Sequence, residues 1–275
     1  MTASVLNKKI GVIGCGNMGE ALIKGIVNAG LIPKENIFVS DVREDCLKNL
    51  KNTYGVSTFS SNTEVVSKSN IIILAVKPQI IEGVLKEIAP GMKPSHIIIS
   101  VAAGITVRFL AQHLGEKGKV IRTMPNTPAL IQEGATALCA GKEVREEDLN
   151  VAREIFQSVG KVVVVDESLM DAVTGLSGSG PAYFLFILEA FIDAGVKMGL
   201  TREVSSLLTV QTCLGTTKLL LATSEHPAKL RDKVTSPGGT TIYGLHALEE
   251  GGVRASLINA VEAATRRSRE LGRKD

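Results

Sequence analysis

The sequence predicts an α/β chain in which a doubly wound, mostly parallel sheet is followed by an all-helical domain. Three observations predict it. Short apolar, β-branched runs alternate with helical patterns from Lys9 to Val165; a glycine cluster lies between the first run and the first helix; and after Asp166 no β-branched run bounded by turns recurs. The expected division is 1–166 and 167–275.

The first strand is expected at Lys9–Ile13. From Asn17 to Ala29 the apolar residues Met18, Leu22, Ile26 and Ala29 recur at helical spacing, which predicts strand, tight loop, helix. Ile37–Val39 is a second strand that ends at Asp41. Further strands are expected at Ile71–Val76, Ile97–Val101, Val120–Arg122 and Val162–Val165, with helices at Gln79–Ile88, Val107–Leu114 and Glu146–Val159. In such runs, strands covered by helices on both faces read as continuous apolar stretches.

Beyond Asp166 the chain reads as helices broken by glycine loops. The first long helix, Ser179–Gly199, carries Phe184, Leu185, Ile187, Leu188, Phe191 and Ile192, so it is apolar on more than one face and is expected to be buried nearly all round. About 110 residues of helix cover it only with difficulty, which predicts a partner subunit. The pair Gly251-Gly252 predicts a helix stop and restart.

Composition narrows the function. In 275 residues, 44% hydrophobic and 21% charged residues fit a folded globular chain. A formal net charge of +3, with the bases scattered apart from Arg266, Arg267 and Arg269, is too little for a nucleic-acid face. Aromatics at 4% without Trp exclude base-stacking platforms. A small-molecule ligand is therefore expected. Cys15, Cys46, Cys139 and Cys213 form no C-x-x-C pair and read as reduced thiols of a cytoplasmic protein. The apolar stretch Pro181–Leu200 is interrupted by Glu189, Asp193 and Lys197, so no membrane span is expected. His96, His113, His226 and His246 read as structural or solvated, and no metal site is expected.

Gly14-Cys15-Gly16-Asn17-Met18-Gly19 is a G-x-G-x-x-G after a strand and opening a helix, with Asp41 22 residues beyond Gly19. This context marks a Rossmann-type dinucleotide site. Gly14 permits the tight turn, Gly16 lets backbone approach a pyrophosphate, and Gly19 lets helix and strand pack closely. Asp41 is placed to take an adenosine ribose 2′-hydroxyl and favour NAD, while Arg43, two residues on, is a candidate partner for a 2′-phosphate. Both NADH and NADPH stay open. Ala75-Val76-Lys77-Pro78 falls at the carboxyl end of a strand, with Pro78 at the first position of the next helix. Thr123–Pro128, with two prolines, predicts a rigid extended loop.

Two glycine and hydroxyl loops lie in the helical half. Thr174–Pro181 is expected to be a loop whose Ser179 caps the long helix. Ser236-Pro237-Gly238-Gly239-Thr240-Thr241 opens another helix, and its N–H groups and hydroxyls make a carboxylate-sized anion site; a plain N-cap at Thr240 or Thr241 is the competing reading.

The segments GVIGCGNMGEALIKG, AVKPQ at Ala75–Gln79, RTMPNTPAL at Arg122–Leu130, DAVTGLSGSGPAY at Asp171–Tyr183 and SPGGTTIYGL at Ser236–Leu245 together resemble pyrroline-5-carboxylate reductases, from the first strand to the last helix. The resemblance implies reduction of 1-pyrroline-5-carboxylate, a cyclic imine carboxylate, to L-proline by NAD(P)H. It also implies a dinucleotide-binding domain over 1–166, a substrate and dimerisation domain over 167–275, and homodimers that assemble into a ring. It implies coenzyme contacts at Gly14–Gly19, Asn62 and Ala75–Pro78, and substrate positions at Glu167, Thr174, Ser236, Gly238, Gly239, Thr240 and Thr241. Lys233 stands where some members carry Asn, and Asp41 where many carry Ser or Thr.

A protonated imine accepts hydride readily, so orientation is the main requirement and no strong general base is needed. The expected arrangement has the Ser236–Thr241 loop on the substrate carboxylate and the Thr174 hydroxyl on the ring nitrogen, making Thr174 the catalytic candidate. Hydroxyacid dehydrogenases of similar architecture want a Lys early in the second domain, and Thr174–Gly195 contains none. The rival readings are a reductase for a hydroxyacid or a deazaflavin, and a dinucleotide sensor without catalysis.

Overall fold

The computed structural model describes residues 5, 7–115 and 118–272. Eight strands form one sheet: β1 (Ile10–Ile13), β2 (Ile37–Ser40), β3 (Ser57–Phe59), β4 (Ile71–Leu74), β5 (Ile97–Ser100), β6 (Lys119–Met124), β7 (Gly134–Ala140) and β8 (Gly160–Val164). Their order is β3-β2-β1-β4-β5-β6-β7-β8. Every pairing is parallel except β6 with β7. Register is set residue by residue, as in Ile10 against both Ile37 and Ile71.

The helices that cover the sheet are α1 (Asn17–Asn28), α2 (Glu44–Tyr54), α3 (Asn62–Lys68), α4 (Ile81–Ile88), α5 (Val107–Leu114) and α6 (Glu146–Gln157). β1, β4 and most of β2 and β5 are apolar and wholly buried because helices pack on both faces. One core joins β1, β4 and β5 side chains to Leu22, Ile26 and Phe156; the other joins Ile72, Leu74 and Ile98 to Leu85, Ile88 and Leu110.

Two strands fall outside the ranges expected from the sequence. β3 is a three-residue edge strand, and β7, GATALCA, is built largely of small residues that carry little strand signal. β7 is nevertheless buried, and the two backbones of β7 and β8 meet so closely that a Cβ at Gly134 would lie 2.8 Å from the Val159 carbonyl oxygen.

After Asp166 the expected helices follow: α7 (Met170–Val173), α8 (Gly180–Lys197), α9 (Arg202–Thr223), α10 (Pro227–Lys233), α11 (Thr240–Glu250) and α12 (Val253–Gly272). Gly252, at φ 65°, separates the last two as expected. The described residues up to Ser179, with those from Ala263 onward, form one compact unit, and Gly180–Glu262 form another.

The Thr174–Pro181 segment corrects the expected loop. Thr174–Gly178 is a π-helical turn, closed by the Ser179 N–H donating to the Thr174 carbonyl at 2.9 Å, five residues back. Ser179 has right-handed helical dihedrals, so it continues the helix and caps nothing. The glycines serve a wide turn inside a helix rather than a break. π-bulges of this kind concentrate at functional sites.

Nor is α8 buried all round within its chain: Phe184, Leu185, Phe186 and Phe191 are each more than half exposed. By length and composition alone, the helical stretch Glu167–Lys197 could cross a bilayer. Glu189, Asp193 and Lys197 place a charged stripe along it at four-residue spacing.

Candidate active site

The glycine loop leaves β1 at the point where strand order reverses, between β1 and β4, where open α/β sheets bind ligands. Gly14 has φ 100°, and a Cβ on it would stand 2.6 Å from the Ala75 carbonyl oxygen. The turn is fixed from both sides: the Gly14 N–H donates to the Ser40 carbonyl at 2.8 Å, and the Ala75 N–H to the Ile13 carbonyl at 2.8 Å. A Cβ on Gly19 would run into the Gly14 carbonyl oxygen, which explains the close approach of α1 to the loop.

Gly16 differs. It is the N-cap of α1, makes no side-chain cap, and has no atom within 4 Å of where a Cβ would stand. The first intrahelical bond is the Glu20 N–H to Gly16, so the N–H groups of Asn17, Met18 and Gly19 remain for a ligand. Open space over Gly16, beside unpaired helix N–H groups, fits a dinucleotide pyrophosphate.

Asp41 follows β2 and turns its carboxylate onto this loop. Its Oδ2 accepts the Cys15 N–H at 2.7 Å, and Oδ1 accepts the Arg43 N–H at 2.9 Å and the Arg43 Nε at 3.3 Å. Burial would raise its pKa, but the hydrogen bonds from Cys15 and Arg43 outweigh this and hold the carboxyl below its ordinary value. Arg43 Nη2 donates to the Cys15 carbonyl at 3.1 Å, and the Cys46 thiol donates to the same oxygen at 2.7 Å. Burial, with Cys46 and Asp41 beside it, pushes the Cys15 thiol well up, so it stays protonated. The part played by Cys46 was not read from the sequence; its place in the first turn of α2, five residues past Asp41, was the available signal.

Asn62 opens α3 behind the N-cap Ser61. Its Oδ1 accepts from Ser40 Oγ at 2.8 Å and its Nδ2 donates to Glu87 Oε2 at 2.7 Å, so the amide is oriented from both ends. Ala75 and Val76 follow β4, and Lys77 is the N-cap of a 3-10 turn in which Pro78 holds the early position expected of it. The coenzyme candidates thus come together at the carboxyl ends of β1, β2 and β4. A cavity of about 470 Å³ lined by Met92, Lys93, Ile98 and Leu114 lies elsewhere, near the start of β5.

Glu167 sits at the first residue of a 3-10 turn leading into α7. Its Oε1 takes Arg122 Nη1 at 2.7 Å and the Val107 N–H at 3.3 Å, and its Oε2 takes the Cys139 thiol at 3.1 Å. Burial, then Glu167, pushes the Cys139 thiol up to about 12.

In the π-turn, the Thr174 hydroxyl donates to the Met170 carbonyl at 3.0 Å, leaving oxygen lone pairs to accept. The turn is held by Asn126, whose Nδ2 donates to the Ser177 carbonyl at 3.2 Å and whose Oδ1 accepts the Ala135 N–H at 2.8 Å. The Thr123–Pro128 segment is correspondingly less extended than expected: a 3-10 turn begins at Thr127.

In the second unit, Gly239 is the N-cap of α11, and Thr240 and Thr241 are its first two residues. Neither threonine caps the helix. Gly238 has φ 69°, and a Cβ on Gly239 would strike Ser236 Oγ. Ser236, Gly238 and Thr240 are exposed, Gly239 and Thr241 half-buried. Lys233 is ion-paired to Glu225 Oε2 at 2.6 Å. Among the histidines, His96 is buried and accepts the Lys93 N–H through Nδ1 at 3.2 Å, a structural role. Among the described residues no group of three or more His, Cys, Asp or Glu side chains is placed to hold a metal ion.

Comparison with known proteins agrees along the whole chain. A family profile described as pyrroline-5-carboxylate reductase dimerisation matches residues 167–271, and one described as NADP oxidoreductase, coenzyme F420-dependent, matches residues 9–104. The pyrroline-5-carboxylate reductase of Methanosarcina acetivorans is 47% identical over 98% of this chain and 99% of its own; that of Arabidopsis thaliana is 43% identical over 96% and 95%. The chain belongs to the pyrroline-5-carboxylate reductase family.

Solved members superpose closely. The Plasmodium falciparum pyrroline carboxylate reductase, determined with NADP bound, is 38% identical with a TM-score of 0.87, covering 97% of this chain and 98% of its own. The Coxiella burnetii enzyme is 37% identical with a TM-score of 0.91, covering 96% and 98%. The chain is an NAD(P)H-dependent oxidoreductase that reduces 1-pyrroline-5-carboxylate to L-proline, the last step of proline biosynthesis. Its helical part is a dimerisation domain, so the enzyme is a homo-oligomer and the open apolar face of α8 belongs to a region that pairs. The deazaflavin reading is confined to the profile over residues 9–104 and does not extend to the whole-chain relatives.

Proposed function

We propose a division of labour in which 1–166 bind the coenzyme and 167–275 bind the substrate and pair subunits. Gly14–Gly19 hold the pyrophosphate, Asp41 and Arg43 face the adenosine ribose, and Asn62 with Ala75–Pro78 shape the edge along which the dinucleotide lies. NAD(P)H bound there supplies the hydride.

Thr174 accepts a hydrogen bond from the protonated ring nitrogen. The observation that carries this is the Thr174 hydroxyl proton already committed to Met170, which leaves the oxygen an acceptor. An iminium N–H is a donor, so the two match, and the contact favours the protonated, hydride-accepting form of the substrate. Ser236, Gly238, Gly239, Thr240 and Thr241 hold the carboxylate with helix N–H groups and hydroxyls; the uncapped start of α11 supports this role. Glu167, held by Val107 and Arg122, acts chiefly by orienting the segment that leads to Thr174.

The test separates the two substrate contacts. Replacing Thr240 and Thr241 by Val together is expected to raise KM and weaken L-proline binding by calorimetry. Thr174→Val is expected to lower kcat, with coenzyme binding unchanged. An unaltered KM in the first or an unaltered kcat in the second would overturn that contact.

The working form we propose is a ring of dimers, free of nucleic acid and membrane, in the cytoplasm. Four free thiols support a reducing compartment, and apolar residues still exposed on α9, such as Leu207 and Leu221, support contacts beyond a single chain.

A further inference from the structure

We propose that Asp41 makes this enzyme select NADH, and that Arg43 is a 2′-phosphate site kept closed by its pairing with Asp41. The proposal rests on the coenzyme reading of the glycine loop given above.

The Asp41 carboxylate cannot be treated as a loose surface charge. Its side chain is only 10% exposed, and Cys15 and Arg43 hold both oxygens. It is therefore a fixed negative charge on the backbone of the loop that receives the coenzyme. A ribose 2′-hydroxyl can donate to it. A 2′-phosphate has only acceptor oxygens at neutral pH, with about −1.5 to −2 charges by analogy with other phosphomonoesters, and meets like charge there.

Arg43 would ordinarily answer that phosphate, since a guanidinium suits phosphate in a bidentate contact. Here three groups engage it: Asp41 Oδ1 through Nε, and the Cys15 carbonyl and Cys46 sulfur through Nη2. Two of these are neutral, so the Asp41 charge is the dominant restraint. The Arg43 side chain remains 54% exposed, so the guanidinium is within reach of solvent-borne ligand once that restraint is lifted. Removing one charge therefore does two things: it abolishes the repulsion and releases a cation already beside the ribose position.

Direct titration of NADH and NADPH by fluorescence tests this without turnover. The wild type is expected to bind NADH more tightly than NADPH by roughly 10- to 100-fold, the worth of one or two charge-assisted contacts. Asp41→Asn keeps an acceptor for the Cys15 N–H, so it preserves the loop while removing the charge; it is expected to shift the ratio toward NADPH by about tenfold or more. Asp41→Ser is expected to shift it further, and adding Arg43→Ala to abolish the gain. Wild-type Kd values that are equal or favour NADPH would overturn the proposal, as would an unchanged ratio in a folded Asp41→Asn. Wild type that binds neither coenzyme would instead overturn the dinucleotide reading beneath it.

Discussion

Arg122 Nη1, on a side chain only 4% exposed in β6, lies 2.7 Å from Glu167 Oε1 at the start of the helical segment that carries Thr174. The pair ties the sheet to the residues that set the phase of the π-turn. Removing Glu167 leaves a buried guanidinium without its anion, but the Glu167 side chain is itself 38% exposed, so Glu167→Ala is expected to destabilise the fold by about 1–3 kcal/mol. Glu167→Gln, which keeps an acceptor, should lose less. Urea unfolding checks both; a large rise in KM with unchanged stability would mark Glu167 as a substrate ligand instead.

Gly14 and Gly16 differ in what surrounds them, and their alanine variants should fail differently. Gly14→Ala forces a positive φ on a side chain that has no room beside Ala75, so stability is expected to fall by about 1–3 kcal/mol. Gly16→Ala meets no protein atom and should melt near wild type, yet bind NADH far more weakly because its methyl occupies the ligand's space. Thermal melts beside coenzyme titrations distinguish the two.

Burial, with Lys93 nearby, lowers the pKa of His96, and only a neutral imidazole can accept the Lys93 N–H. The unfolded chain takes up a proton below about pH 6.5 while the folded imidazole resists it. Stability is therefore full above that pH and declines as pH falls toward the folded value. His96→Asn should lack this component of acid destabilisation in melting temperature measured against pH.

Phe186 is 73% exposed on α8 in an isolated chain. Its replacement by Glu is expected to dissociate subunits, read as a smaller mass by sedimentation, while the glycine-loop unit keeps its coenzyme affinity.

The coenzyme half was legible because its chemistry is local in sequence. Gly14, Gly16 and Gly19 each have one geometric duty at a fixed spacing, and Asp41 follows a strand whose burial makes it readable. The π-turn was not, since Gly175, Ser177 and Gly178 signal a loop by propensity, while the five-residue backbone bond and the Asn126 clamp that hold it are not visible as a local pattern. β7 was missed for a related reason: small residues give little pattern, and its strand is specified by neighbours on both sides. The commitment of Glu167 to Arg122 is a long-range pairing that no spacing rule anticipates.

Steady-state oxidation of NADH and NADPH in the presence of 1-pyrroline-5-carboxylate tests the central claim most directly. Rapid turnover with accumulation of L-proline, and a higher kcat/KM with NADH, is the predicted result. Tight coenzyme binding without turnover of this imine would contradict the assigned reaction.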